Sequence, residues 1–164
     1  MIKKIIALLA AGIMAVSLCA CGKERDPKYE EIMSGEKWKT SNGTLLDLKE
    51  DNTFRWYNSA DDLTDNYYEG TYEVYIGQEA VDKLCSIEEY GITEESQKKT
   101  INEYTDNINY YYCVMLSNER CMQAGEDTLE KKTSTPYYGF YSPDTGKVEL
   151  FSILSFYNYT FSKA

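Results

Sequence analysis

Between Tyr67 and Ile76 the chain sorts its side chains into two sets that alternate at every residue. Tyr68, Gly70, Tyr72, Val74 and Ile76 make one set, and Tyr67, Glu69, Thr71, Glu73 and Tyr75 the other. A period of two is the mark of an extended strand with one face against a core, and Gly70 inside it signals a bend or a close backbone approach. The same period recurs in shorter stretches. Leu46 and Leu48 alternate with Asp47 and Lys49, Glu50-Asp51-Asn52-Thr53 reads as a turn, and Phe54 and Trp56 flank Arg55 in a returning strand. Further strands are expected at Tyr110–Leu116 and at about Arg120–Ala124. Tyr137–Ser142 and Lys147–Ile153 form a hairpin around Pro143-Asp144-Thr145-Gly146, whose residues suit a type I turn. In the last strand Tyr157, Tyr159 and Phe161 alternate with Asn158, Thr160 and Ser162. Strands that follow one another through short turns pair antiparallel, so the chain reads as mainly β, an up-and-down meander. It either closes into a barrel, the fold we expect, or stays an open curled sheet packed on helices.

Two segments depart from this period. Asp26-Pro27 reads as an N-cap with proline at the first helical position, with Gly35 beyond a short helix. From residue 78 to 90 the spacing turns helical, with Ala80, Val81, Leu84 and Ile87 on one face and Gly91 closing it. Thr93 caps a second, more polar helix with Glu94 and Glu95 in its first turn, and Ile101 and Tyr104 on its thin apolar side. This two-helix insertion, from Gln78 to Asn107, is expected to cover one end or one face of the barrel, and either to gate a pocket as a mobile lid or to cap one barrel end and keep its core dry. The segment Asp61–Asn66 is expected to be a solvated loop.

The first twenty residues have a different character. Lys3 and Lys4 precede an apolar run from Ile5 to Leu18 broken only by Gly12 and Ser17, and the run ends in Leu18-Cys19-Ala20-Cys21. That length fits the core of an export signal better than a permanent membrane span. A large aliphatic residue three places before a cysteine, with a small residue directly before it, resembles the lipobox of bacterial lipoproteins. The resemblance implies that residues 1–20 are a signal peptide and that Cys21 is the lipid anchor. Cys19 is the rival acceptor, but bulky Leu18 precedes it. Residues 21–26 then form a charged tether, and 27–164 the folded domain. Membrane attachment is expected through acyl chains on Cys21, with the domain outside the cytoplasm.

Charge narrows the function. Residues 1–20 hold two of the 17 basic residues and none of the 27 acidic ones, so their removal leaves a net charge of −12. Such a chain repels nucleic-acid phosphates, and no basic stripe offsets this; no nucleic-acid partner is expected. With 43% hydrophobic residues and 16 tyrosines the chain forms a folded domain and not a disordered one, expected as a monomer.

Histidine is absent, which removes every mechanism with an imidazole base and the commonest metal ligand. Ser96 and Lys99 lie three apart on a polar helix face, where a solvated pair is the simpler account. Glu69 and Glu73 share a strand face without an evident cleft. Asp61–Asn66 lacks the alternating ligand pattern of a calcium loop. No catalytic residue, metal or cofactor is therefore expected. Cys85, Cys113 and Cys121 are an odd set; they are expected to be reduced, although Cys113 and Cys121 are spaced to meet across a hairpin.

Trp38, Leu46-Asp47-Leu48, Asp51-Asn52-Thr53-Phe54 and Gly70-Thr71-Tyr72 occur in an order that resembles small lipocalin-like, or calycin-like, lipoproteins. The resemblance covers mainly residues 27–76 and implies a barrel whose bottom Trp38 closes by packing. The function expected is non-enzymatic binding of a small ligand or a protein at the cell surface. Tyr110-Tyr111-Tyr112, Tyr137-Tyr138, Trp56 and Tyr72 are the candidate aromatics for a sugar-stacking or apolar pocket. The alternative is a structural or inhibitory module whose barrel is filled by its own side chains.

Overall fold

The computed structural model describes Tyr29 and residues 32–164. The signal segment 1–20, Cys21, the tether 21–26 and the Asp26-Pro27 helix start lie outside the described residues. Tyr29, Ile32 and Met33 are helical.

Nine strands follow: β1 (Lys37–Thr40), β2 (Leu45–Leu48), β3 (Thr53–Ser59), β4 (Asp62–Ile76), β5 (Tyr111–Gln123), β6 (Glu126–Asp127), β7 (Thr133–Ser142), β8 (Lys147–Ser152) and β9 (Tyr157–Lys163). Every pairing is antiparallel. Consecutive strands pair from β1 to β5, β5 pairs onward with β7, and the meander continues through β8 to β9. Trp38↔Lys163 and Thr40↔Phe161 then join β9 to β1. The result is a closed eight-stranded barrel, with the two-residue β6 folded onto the end of β5. Closure leaves no strand edge exposed around the wall.

Several boundaries differ from those read in the sequence. The acidic segment after Asp61 is not a loop: Asp62–Asn66 belongs to β4, which turns tightly out of β3 through Ser59↔Asp62. The Asp62 carboxylate receives the Thr64 N–H at 3.1 Å and the Thr64 hydroxyl at 2.6 Å, a local bond that suits an extended chain. The two strands expected in 110–124 are one long β5, with a register shift opposite Glu69 and Gly70. At that shift a Cβ on Gly70 would stand 1.9 Å from the Ser117 carbonyl oxygen, so the close approach demands glycine. Cys113 and Cys121 both lie on β5, on one strand and not across a hairpin, and Cys85, Cys113 and Cys121 are all free thiols.

The inward faces of the strands build the main core. Trp38, Leu46, Leu48, Phe54, Tyr72 and Tyr112 pack there with Val114, Val148, Leu150 and Phe161. Met33 enters the same core from the helical turn before β1, and its carbonyl accepts the Trp38 indole N–H at 3.3 Å. Tyr112 donates its hydroxyl to the Tyr29 carbonyl at 2.6 Å. The segment ahead of β1 thus seals one end of the barrel.

Two helices, α1 (Gln78–Cys85) and α2 (Glu94–Tyr104), lie between β4 and β5. Neither covers an end of the barrel. Ala80, Val81 and Leu84 of α1 and Ile101 of α2 pack with Tyr111, Cys113 and Met115, the outward face of β5. The reason is in β5 itself: Tyr111 to Leu116 are buried without interruption, so that stretch needs a cover on both sides. Tyr111 adds a buried hydrogen bond to Gln97 of α2, at 2.5 Å.

Candidate ligand cavity at the barrel mouth

The end of the barrel opposite Met33 and Trp38 is not filled. A cavity of about 380 Å³ opens there, within the range of small-molecule sites. Its wall comes from several strands whose alternation continues past the apolar core and turns polar. On β3 the inward series runs Phe54, Trp56, Asn58; on β7, towards the mouth, Tyr137, Thr135, Thr133; on β5, Leu116, Asn118. Phe54 and Leu116 are core residues, whereas Asn58 and Thr133 are exposed. Asn42 and Thr44 close the β1–β2 side, and Leu154 and Tyr159 the β8–β9 side.

The floor is aromatic. Trp56 contacts Tyr137 with ring centroids 5.3 Å apart, Tyr159 at 5.2 Å and Phe161 at 5.9 Å. The Trp56 indole donates to the Thr44 hydroxyl at 2.9 Å. Thr44 is held in turn against Thr40, whose hydroxyl also bonds the Asn42 carboxamide. At the rim Asn118 Nδ2 donates to Thr133 Oγ1 at 3.2 Å, tying β5 to β7. Burial pushes the Tyr137 phenol well above its ordinary range, with the neighbouring Tyr159 adding to the effect, so it stays neutral. The cavity is lined by amides, hydroxyls, aromatic rings and two leucines, without a carboxylate, an ammonium or a guanidinium.

The charged groups are elsewhere. Glu69 faces outward between Arg55 at 3.0 Å and Arg120 at 3.1 Å, and Arg120 reaches Asp127 at 3.4 Å. Glu73 pairs with Lys83 at 3.8 Å, so the two glutamates do not converge. Ser96 is spent in a capping box with Thr93, and Lys98 bridges Glu94 at 2.5 Å. Among the described residues no three His, Cys, Asp or Glu side chains cluster as metal ligands. No described helix is long and apolar enough to cross a membrane.

Of the aromatics singled out in the sequence, only Trp56 and Tyr137 line the cavity. Tyr72 is core and donates to the Lys49 carbonyl at 2.7 Å. Tyr111 faces the helices, Tyr112 the sealed end, and Tyr138 packs outside on Phe151. Tyr110 sits against Tyr29 and Tyr141. Tyr68 and Tyr159 were missed, as was the whole polar lining. The signal available was a polar residue continuing an inward series, as Asn58 does after Trp56. Residues 78–107 contribute nothing to the wall, so the helices do not gate this cavity. No known protein family, curated protein or solved structure matches the chain.

Proposed function

We propose that the protein is a lipocalin-like lipoprotein, anchored outside the cytoplasm through Cys21, that binds a small ligand in the barrel mouth without transforming it. The cavity of about 380 Å³ carries this proposal, because a barrel filled by its own side chains, the alternative, has no such space. The binding role without catalysis is supported by a wall free of carboxylates, amines and thiols. The lipobox Leu18-Cys19-Ala20-Cys21 supports the anchor. Because the chain enters β1 at the sealed end, beside Met33 and Trp38, an anchored barrel turns its mouth away from the membrane. A protein partner has one observation in its favour, the exposed Leu154 and Phe156 on the β8–β9 turn.

Native mass spectrometry of the full chain, extracted from its own membrane, tests the proposal against a Thr135→Trp variant whose indole fills the cavity. An adduct on the wild-type chain that the variant lacks is the expected result. Identical spectra for the two chains would overturn small-molecule binding.

A further inference from the structure

The chemistry of the cavity wall selects among ligand classes. Charged residues make up 27% of the chain, yet none lines the cavity. A phosphate or carboxylate ligand needs a cationic partner to offset its desolvation, and an amine needs a carboxylate. A cage for a quaternary ammonium needs ring faces set apart around the cation. Here Trp56, Tyr137 and Tyr159 touch one another, with centroids 5.2 to 5.9 Å apart, and leave no gap between them. A lipid tail needs an apolar wall, and this one carries Asn58, Asn118, Thr133 and Thr135.

A neutral sugar meets all of these conditions. Its hydroxyls both donate and accept, as threonine hydroxyls do, and an asparagine amide offers one group of each kind. Its C–H face lies on an aromatic ring, and Trp56 has its N–H committed to Thr44, leaving the ring surface as its contribution. The ring series on β9 extends the site outward. Phe161 is sealed in the core, Tyr159 is half-buried in the cavity, and Tyr157 at the rim is 46% exposed. Tyr157 and Tyr159 are 4.8 Å apart, and Tyr159 and Phe161 6.1 Å.

We infer that the cavity takes the terminal unit of an uncharged glycan, with the next unit lying over Tyr157. This inference rests on the small-ligand proposal above and adds the class of ligand.

Tryptophan emission tests it on the full chain, in a detergent whose headgroup contains no sugar. Trp38 is sealed in the core, so Trp56 reports the cavity. The probes are a methyl glucoside, neutral tetrasaccharides of glucose and of N-acetylglucosamine, glucuronate, glucosamine and choline. Saturable change is expected with a neutral tetrasaccharide, which binds more tightly than the monosaccharide. Tyr157→Ala is expected to weaken the tetrasaccharide roughly tenfold, the effect of losing one aromatic contact, and to leave the monosaccharide unchanged. Thr135→Val is expected to weaken both. A response to glucuronate, glucosamine or choline with the neutral sugars silent overturns the ligand class, as does silence from every probe. The small-ligand proposal fails separately, when wild-type and Thr135→Trp chains carry the same adducts in the mass spectrum.

Discussion

Trp56 and Tyr159 meet edge to face, 5.2 Å between ring centroids and 68° between planes, at the depth where the packed interior gives way to the cavity. Below them Phe161 and Phe54 are sealed; above them Asn58 and Tyr157 reach solvent. The barrel is therefore two structures on one wall. The half nearest Met33 is a stability core, and the half at the mouth is free to vary in chemistry.

That division predicts unequal effects from the two tryptophans. Trp38 is wholly buried, and truncating such an aromatic costs about 3–5 kcal/mol. Trp38→Ala is expected to lose that much stability in urea unfolding, and Trp56→Ala distinctly less. A wild-type melting temperature for Trp38→Ala would refute its sealing role.

Gly70 is expected to reject even a methyl group. Its Cβ would stand 1.9 Å from the Ser117 carbonyl oxygen, which is backbone and cannot swing aside. Overpacking of this kind costs about 1–3 kcal/mol, so Gly70→Ala is expected to destabilise at least that much. If Gly70→Ala unfolds at the wild-type urea concentration, the close approach of β4 and β5 is wrong.

Stability should fall in alkali. Burial pushes the Cys113 thiol from 9.0 up to about 12, and burial also raises the Tyr111 and Tyr137 phenols. The folded state keeps these protons after the unfolded chain has released them. The contribution of Cys113 is complete below its unfolded value of 9.0 and is lost as the pH rises to about 12. In urea unfolding from about pH 8 to about pH 11, Cys113→Ala is expected to flatten the slope by about one proton. An unchanged slope would show that the thiol is solvated.

Hydrogen exchange checks that α1 is fixed cover on the outward face of β5. Ala80, Val81 and Leu84 are fully buried against β5, so their amides should exchange as slowly as those of Tyr72–Ile76. Fast exchange in α1 that slows when a ligand is added would restore the lid.

Membrane attachment is the last test. Cys21→Ala is expected to abolish membrane partitioning and acyl labelling, and Cys19→Ala to leave both intact. The opposite pattern would move the anchor to Cys19.

The local elements were legible because each depends on near neighbours. The alternation at Tyr67–Ile76, the Asp51-Asn52 turn and the Thr93 cap are decided within a few residues, and all three stand in the structure. The antiparallel meander followed from short turns. The choice between an end and a face for the helices is also written in the chain, in the unbroken apolar run of β5. A strand apolar on both sides needs two covers, and the barrel interior supplies only one.

The sequence by itself determined the alternating stretches, the antiparallel meander that joins them and the exclusion of imidazole chemistry. These follow from side-chain period, turn residues and composition, which act over short range. Only the tertiary structure decided which inward series end in space and which in packing. Closure brings Asn58, Asn118, Thr135 and Tyr159 from four different strands to one mouth. That convergence depends on register around the whole barrel, a property no single strand carries.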